Sequence, residues 1–250
     1  METKGNTILI TGGTSGIGLA FAEEFLKLGN KVVICGRRQD RLDTLAEKHP
    51  GLITKACDVS LEIDRKELFH WVKAHHPDVN ILMNNAGVQF AFNLLKEVNH
   101  EKFTAEINTN LVAPIHLCSL FSEFLGKQKN SAIINISSGL AFVPIAFMPV
   151  YCATKAAIHS FTLSLRYQLK NTNVKVFEIA PPAVDTELGH DRRTDKSQSH
   201  GGIPVSEFLS EAMEAIKTDL LEAPIGMAKG LRENREKAFQ GMNDRISAGN

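Results

Sequence analysis

The stretch PVYCATKAA, residues 149–157, places a tyrosine and a lysine four positions apart. On a helix this spacing puts Tyr151 and Lys155 side by side on one face. An ammonium group beside a phenol favours the phenolate and lowers the phenol pKa from its usual value of about 10. Such a tyrosine can donate a proton to a carbonyl oxygen or accept one from an alcohol. A core tyrosine followed by a surface lysine would show the same spacing, so the pattern alone leaves both interpretations open.

A glycine-rich stretch, ITGGTSGIG at residues 10–18, connects an apolar strand pattern to an amphipathic helix pattern. Its G-x-x-x-G-x-G spacing differs from the common dinucleotide fingerprint but follows the same physical logic. Gly12 allows a tight turn, and Gly16 and Gly18 let the backbone approach a pyrophosphate at the helix N-terminus. The stretch therefore predicts phosphate binding, although a glycine-rich connection that binds nothing would look alike. The residues predicted to contact a cofactor here are Gly12, Thr14, Ser15, Gly16, Ile17 and Gly18.

The end of the second strand pattern, VICGRRQDR, bears on the choice of cofactor. In the common dinucleotide-binding arrangement an acidic residue at this place holds a ribose hydroxyl of adenosine. Gly36 stands there instead, and Arg37 and Arg38 follow it. A missing carboxylate next to two guanidinium groups suits a 2′-phosphate, which favours NADP(H) over NAD(H). The alternative is that both arginines are simply solvated at a helix start.

Short apolar runs alternate with helical patterns along the chain. The strand patterns lie at 7–12, 31–36, 52–59, 79–87, 131–138 and 174–182, and the helical patterns at 18–29, 38–49, 61–76, 97–128 and 150–170. This alternation predicts βαβ units, and nearly continuous apolar strands predict a sheet covered on both faces. The sequence therefore predicts an α/β fold of the Rossmann type, with a doubly wound, mostly parallel sheet flanked by helices on both faces.

The chain shows no linker and no internal repeat, so residues 1–250 are predicted to form a single domain. The stretch 187–204 is polar and contains glycine, and a helical pattern follows it. We therefore expect 187–220 to form a substrate loop and a lid helix. EAPIG, at 222–226, predicts a short edge strand, and 228–245 predicts a C-terminal helix.

Seven short motifs follow one another between about residues 5 and 190. They are TGGTSGIG, CDV, NNAG, NTNL, NISSG, YCATK and PPAVDT. In their types, order and separations they resemble the motifs of the classical short-chain dehydrogenase/reductase family. Each motif is weak alone, but seven in order leave little room for chance, and the resemblance favours the chemical interpretation of the tyrosine and lysine.

The resemblance implies a role for each matching residue. Tyr151 is the general acid or base, Ser138 holds the substrate oxygen, Lys155 holds the nicotinamide ribose, and Asn110 holds a water that relays protons to Lys155. These four are the predicted catalytic residues. The cofactor contacts implied by the resemblance are Asp58 at the adenine, Thr186 at the nicotinamide amide, and Val59, Asn85, Ala86, Gly87, Tyr151, Lys155, Pro181 and Val184.

Within the family the chain is most similar to the DltE-like bacterial oxidoreductases, through SSGLAFVPIAFMPVYCATKAAIHSF and APPAVDT. Two features depart from the usual family pattern. Pro182 replaces a glycine, which stiffens the backbone beside the nicotinamide. The C-terminal V-D-G-G strand that helps to build the family's common tetramer is absent, so a homodimer is expected. Its face is predicted on helices 97–128 and 150–170, through the apolar positions Leu117, Phe121, Phe161 and Leu165.

The sequence thus predicts an NADP(H)-dependent oxidoreductase that transfers a hydride between nicotinamide and a small carbonyl or alcohol substrate. The apolar segment 140–150 lies between Ser138 and Tyr151, so a hydrophobic substrate is expected, although the segment could also only pack beneath the loop. The alternative function is a cofactor-binding regulator, or an accessory protein of a cell-envelope pathway, with little turnover. The four intact catalytic residues argue against that alternative.

Composition restricts the partners and the location. The 250 residues carry 28 basic and 28 acidic side chains, and this balance favours neither nucleic acid nor an anionic membrane as a partner. The four cysteines are scattered, which is typical of structural thiols in a reducing compartment, so the cytoplasm is expected. His70, His75 and His76 share one helical pattern, but no nearby cysteine or acidic cluster completes a metal site. No metal is therefore predicted.

Overall fold

Seven short strands form one parallel sheet in the computed structural model, which describes residues 1–189 and 201–248. The strands are β1 (Thr7–Thr11), β2 (Lys31–Gly36), β3 (Leu52–Ala56), β4 (Ile81–Asn84), β5 (Ala132–Ile136), β6 (Lys175–Ala180) and β7 (Glu222–Pro224). Their spatial order is β3-β2-β1-β4-β5-β6-β7. The order reverses between β1 and β4, which is where sheets of this kind bind ligands. The predicted Rossmann-type fold is confirmed, and β7 forms the expected edge strand.

Alternation along the strands produces two cores, one on each face of the sheet. Ile8 and Ile10 of β1 point into one core, and Leu9 between them points into the other. Successive side chains of a strand face opposite ways, so a strand buried on both faces must be apolar throughout. This requirement explains the continuous apolar runs in the sequence.

The helices divide between these two faces. They are α1 (Gly16–Lys27), α2 (Gln39–Lys48), α3 (Glu62–His75), α4 (His100–Ile107), α5 (Ala113–Gly126), α6 (Pro149–Gln168), α7 (Val205–Lys217), α8 (Ala228–Asn234) and α9 (Phe239–Ala248). Buried residues of α1, α2 and α7 join the first core, and those of α3, α5 and α6 join the second. Among the described residues, no helix combines the length with the hydrophobicity needed to cross a membrane.

The helix predicted at 97–128 is not one regular α-helix. It begins at His100 and is interrupted by a π-helical turn at Asn108–Val112, where the amide of Ala113 donates to the carbonyl of Asn108 five residues earlier. Pro114 follows directly and has no amide hydrogen for the Asn110 carbonyl four residues before it. The regular hydrogen-bond ladder is therefore broken beside Asn110.

Three further predictions need correction. The C-terminal helix predicted at 228–245 is broken at Arg235, whose φ of 45° cannot continue a right-handed helix. The predicted lid helix is α7, and it is packed into the first core: Phe208 is fully buried and lies edge-on to Phe21 of α1. Part of the predicted loop 187–204 lies outside the described residues.

The third correction concerns the predicted dimer contacts. Leu117, Phe121 and Leu165 are buried in the second core of the protomer itself, because they form the inner faces of α5 and α6. They are therefore unavailable to a partner. The large apolar residues that these helices and the π-helical turn leave exposed are Val112, Ile115, Leu163 and Tyr167.

Candidate active site

The four predicted catalytic residues come from three places near the carboxyl end of the sheet. Asn110 lies in the π-helical turn, Ser138 lies two residues beyond β5, and Tyr151 and Lys155 lie in the first two turns of α6. All four are buried in the described structure. Pro149 at the first position of α6 suits a helix start, because its missing amide hydrogen would have no partner there.

Tyr151 and Lys155 lie side by side, as their spacing predicts. The Nζ atom of Lys155 is 5.7 Å from the centre of the Tyr151 ring, and it donates a 2.8 Å hydrogen bond to the carbonyl of Ile136. Burial lowers the pKa of Lys155 to about 8, against the opposing attraction of Glu178 and Glu106. The Lys155 ammonium therefore loses its proton at a pH much closer to neutral than an exposed lysine does.

Asn110 fixes the loop after β4 in place next to Lys155. Its Nδ2 donates to the carbonyl of Val88 at 2.8 Å, and its Oδ1 accepts from the amide of Val88 at 2.9 Å. A Cβ on Gly87 would lie 3.5 Å from Asn110 Oδ1 and 3.9 Å from Lys155 Nζ. Gly87 therefore lies between the asparagine and the lysine, so the structure brings Asn110 and Lys155 together.

Ser138 begins a short 3₁₀ turn at Gly139–Ala141. Its Oγ accepts a 3.1 Å hydrogen bond from the amide of Leu140, and Leu140 packs in the same apolar cluster as Tyr151. The amide of Gly139 donates to the carbonyl of Pro181 at 2.8 Å, which ties this turn to the segment after β6. The turn packs against α6, so Ser138 is held beside the helix that carries the tyrosine.

Two buried carboxylates near Lys155 were not predicted from the sequence. Glu106 of α4 accepts from the amide of Phe90, and Glu178 of β6, which is 0% exposed, lies 2.8 Å from Nδ1 of His159. His159 is one helical turn beyond Lys155 on α6. Glu178 could have been identified from the strand pattern KVFEIA, where an acidic residue stands among apolar ones. An acidic side chain is rarely buried without a hydrogen-bonding or charged partner.

The same place holds a group that could bind a cation. Ligand atoms of His159, Glu178 and Glu222 lie within 4.8 Å of one another, although 63 residues separate the first from the last. The Nε atom of Arg232 already pairs with Glu222 at 2.5 Å, so the cluster contains its own cation. Of the three histidines noted in the sequence, His75 at the end of α3 stacks on the Trp71 ring and His76, the next residue, lies edge-on to it.

The glycine-rich turn leaves no room for side chains. A Cβ on Gly12 would lie 2.7 Å from Cα of Ala86, and one on Gly18 would lie 2.3 Å from Nδ2 of Asn85. Asn85 Nδ2 in turn donates to the carbonyls of Thr11 and Gly12 at 2.9 and 3.1 Å. The turn and the end of β4 are thus held together by the Asn85 side chain and the Ala86 backbone, and the hydroxyl of Thr11 accepts from the amides of Asn85 and Ala86. Thr11 was not among the predicted site residues.

Of the two arginines after β2, Arg38 reaches the turn, where its Nη2 donates to the hydroxyls of Thr14 and Ser15 at 3.1 Å each. Arg37 is exposed. A Cβ on Gly36 would lie 2.8 Å from Cγ2 of Thr14, so an acidic side chain could not stand there without displacing that threonine.

The remaining predicted cofactor residues surround the same edge of the sheet. Asp58 uses its carboxylate to accept from the amide of Ser60, and Val59 is buried in the second core. Thr186 faces the turn, because a Cβ on Gly16 would lie 3.2 Å from the Cβ of Thr186. Val184 pairs with Ile203 in an isolated parallel bridge, which anchors the chain after β6. Ile17 of α1 packs against the first core.

The C-terminal helix covers the tyrosine. Met242 and Ile246 of α9 pack with Ile145 and Met148 in the cluster that contains Tyr151, which is only 6% exposed. Asn243 fastens α9 to segment 140–150, because its Nδ2 donates to the carbonyl of Pro144 at 3.1 Å and its Oδ1 accepts from the amide of Ala146. The sequence predicted a helix over most of this region, within 228–245, but not what the helix packs against.

Comparisons with known proteins find related sequences and a structure of the same fold. An oxidoreductase of Bacillus subtilis (strain 168), DltE, which is described as uncharacterized, is 42% identical over 254 residues, covering 97% of this chain and 98% of that protein. The NADP-dependent 3-hydroxy acid dehydrogenase YdfG of Salmonella typhi is 30% identical over 219 residues, covering 84% of this chain and 88% of that protein. A short-chain dehydrogenase from Sphingobium yanoikuyae, solved in complex with NADPH, has the same fold, with a TM-score of 0.81 at 24% identity over 97% of this chain and 95% of that one.

A family model described as short chain dehydrogenase matches residues 6–197. This range contains the glycine-rich turn, the arginines after β2 and all four predicted catalytic residues. With the long alignment to the DltE protein, it shows that the chain belongs to the short-chain dehydrogenase family and is similar throughout to its DltE-like oxidoreductases.

Proposed function

We propose that this protein is an NADP(H)-dependent oxidoreductase that interconverts an apolar carbonyl compound and its alcohol, with Tyr151 as the general acid or base. The observation that carries the proposal is the buried pair on α6, in which Lys155 Nζ lies 5.7 Å from the Tyr151 ring centre. This pair lies at the carboxyl edge of the sheet, the edge on which the glycine-rich turn opens.

The proton chemistry follows from the side chains. A positive charge beside the Tyr151 phenol favours its ionised form, and Lys155, with a pKa of about 8, still carries most of that charge at neutral pH. Ser138 presents a hydroxyl near the same place and would orient the substrate oxygen. A nicotinamide cofactor, when bound, supplies or accepts the hydride, and the protein supplies the proton and the alignment.

The turn between β1 and α1 fits a dinucleotide. Gly12 and Gly18 have no space for a Cβ because Ala86 and Asn85 lie against them. The turn therefore stays tight and α1 begins directly after it, with backbone amides in its first turn that a pyrophosphate can contact. The absence of a carboxylate at Gly36 and the guanidinium of Arg38 on the turn support NADP(H) over NAD(H). The Salmonella typhi relative, named as NADP-dependent, points the same way.

The expected substrate is apolar because the tyrosine is surrounded by apolar side chains. Ile145 and Met148 come from the segment before α6, and Met242 and Ile246 come from α9. Since Tyr151 is almost fully covered, α9 or its side chains must shift before a substrate can reach the phenol. A carbonyl on a hydrocarbon body would replace contacts that these residues now make with one another.

A homodimer in the cytoplasm remains our expectation for assembly and location. We expect the dimer contact to use four exposed apolar residues, since the positions predicted from the sequence are largely buried. The four are Val112, Ile115, Leu163 and Tyr167. Light scattering at micromolar concentration should give the mass of two chains, and an Ile115→Asp variant should give the mass of one. A dimer that persists in this variant would place the contact elsewhere.

The catalytic proposal is tested by NADPH oxidation with a panel of apolar aldehydes and ketones. Tyr151→Phe removes the proton donor at nearly constant volume. Because general acid catalysis contributes about 10²–10⁴-fold, kcat should fall by about that factor while the Kd for NADPH changes little. Tyr167→Phe on the same helix is the matched control, since Tyr167 is 70% exposed, and it should keep full activity.

Two outcomes would contradict the proposal. If Tyr151→Phe keeps most of its rate, the proton donor is another group. If the unmodified protein binds NADPH but turns over no carbonyl compound, alcohol or quinone, the binding-only alternative gains support instead.

A further inference from the structure

Arg38, Arg41 and the hydroxyls of Thr14 and Ser15 form a small pocket beside the glycine-rich turn. A carboxylate of the same chain occupies it. Glu187, two residues beyond Asp185 in the segment after β6, places one oxygen 2.8 Å from Nη1 of Arg41 and 3.3 Å from Nη1 of Arg38. Its other oxygen is also 2.8 Å from Arg41. Arg38 thus connects two places, because its second terminal nitrogen bonds Thr14 and Ser15 on the turn.

The protein's own charges hold Glu187 in this position. Partial burial by itself would raise the pKa of Glu187, but the hydrogen bonds and charges of Arg41 and Arg38 outweigh it and keep the pKa below its usual value. The carboxylate is therefore ionised at neutral pH. The pocket, formed by Arg38, Arg41 and the two hydroxyls, binds an anion in the described structure, and that anion is part of the same chain.

The position of the pocket indicates which anion of a ligand would fit it. It lies where β2 ends at Gly36, and in sheets of this kind the chain at that point contacts the ribose of adenosine. A phosphate monoester carries a charge of about −1.5 to −2 at neutral pH and offers three acceptor oxygens, against one charge and two oxygens for a carboxylate. Two guanidinium groups are well suited to such a group.

We infer that Arg41 is, with Arg38, a ligand of the 2′-phosphate of NADP(H), and that Glu187 is an internal competitor for that phosphate. This inference rests on the proposed use of NADP(H). The phosphate and the carboxylate cannot share the pocket, because two anions at such close range repel each other. Binding of NADPH must therefore displace Glu187 from both arginines, whereas NADH, which has no 2′-phosphate, leaves the contact intact.

The inference predicts a change of affinity that depends on the cofactor. Glu187→Gln removes the competing charge with little change of shape. Exposed ion pairs contribute modestly, so the Kd for NADPH should fall by about two- to fivefold and the Kd for NADH should stay constant. Arg41→Ala should raise the Kd for NADPH by about tenfold, since it removes a charge-assisted phosphate contact.

Glu23→Gln is the matched control. Glu23 is 41% exposed, as Glu187 is, and it pairs with Lys48 and His49 at the other end of α2. Fluorescence titration of both reduced cofactors, and calorimetry with adenosine 2′-monophosphate, should be carried out at one ionic strength because salt weakens all these contacts. Glu23→Gln should leave all three affinities unchanged, and the adenosine 2′-monophosphate affinity should follow that of NADPH.

The two proposals fail in different ways. Equal affinity of the unmodified protein for NADPH and NADH would refute the use of NADP(H) and, with it, the role of Arg41. A clear preference for NADPH that does not change in Glu187→Gln would leave NADP(H) in place and overturn the competition by Glu187. Tighter binding of NADPH and NADH by the same factor would also overturn it, because the effect would not involve the 2′-phosphate.

Discussion

The two halves of the site are built in different ways. The cofactor half, at the ends of β1, β2 and β4, is fixed by close contacts with the backbone and with the Asn85 side chain: a Cβ on Gly18 would meet both the Gly12 carbonyl and the Asn85 amide. The substrate half, from Ser138 to Lys155, is closed by side chains of α9 such as Met242. A backbone contact excludes every residue except glycine, whereas a side-chain contact accepts many apolar residues of similar size. The first half is therefore restricted in sequence, and the second is free to vary with the substrate.

The largest expected effect concerns Lys155, which lies where the two halves meet. Its pKa is about 8 in the fold and about 10.4 in an unfolded chain, so the unfolded chain binds more protons between these values. Stability should therefore rise with pH in this window, by up to about 3 kcal/mol, and the cost of burial should be fully present below about pH 8. Urea unfolding of the unliganded protein between pH 7 and 10.5 measures this change.

Lys155→Met isolates the lysine from other groups that titrate in the same range. The stability advantage of the variant over the unmodified protein should be greatest at pH 7 and shrink as the pH rises. Parallel pH profiles for the two proteins would show that Lys155 has an ordinary pKa, and would remove the reason for treating it as a poised charge.

The next effect tests the rigidity of the cofactor half. In Gly18→Ala the new Cβ would lie 2.5 Å from the Gly12 carbonyl oxygen, and the backbone must move to accommodate it. Overpacking of this kind costs about 1–3 kcal/mol of unfolding free energy, and NADPH binding should weaken because the turn is displaced. Gly126→Ala is the control, since a Cβ there meets open space at the end of α5. An equally stable Gly18→Ala variant with unchanged NADPH affinity would contradict a backbone-built half.

The smallest effect tests the substrate half. Met242→Ala removes part of a partly buried side chain, so we expect a loss of about 1 kcal/mol of stability, less than at a fully buried site. KM for an apolar aldehyde should rise about two- to fivefold, with no change in the Kd for NADPH. Met213→Ala, on α7 in the first core, should lose similar stability and leave KM unchanged. If both variants change KM alike, α9 is only a structural cover.

Local sequence patterns predict some parts of this molecule and not others. The sheet, its helices and the glycine-rich turn could be predicted because apolar periodicity and glycine spacing are local signals. The path of α9 could not, since the contact of Met242 with Ile145 joins residues almost a hundred positions apart. Glu187 was missed for the same reason: its partners Arg38 and Arg41 belong to a different part of the chain. The break at Arg235 depends on a backbone angle that arginine rarely adopts.

The π-helical turn at Asn108–Val112 has a consequence for the loss of a single residue. A π-helical turn is equivalent to an α-helix with a single residue inserted, so losing one codon, such as that of Thr109, would remove the insertion, while Pro114 would still lack an amide hydrogen for the ladder. The same deletion would rotate the residues before the turn by about 100° about the helix axis relative to the residues after it, and Asn110 would no longer contact Val88. The inserted residue therefore sets the direction in which the Asn110 side chain faces Val88.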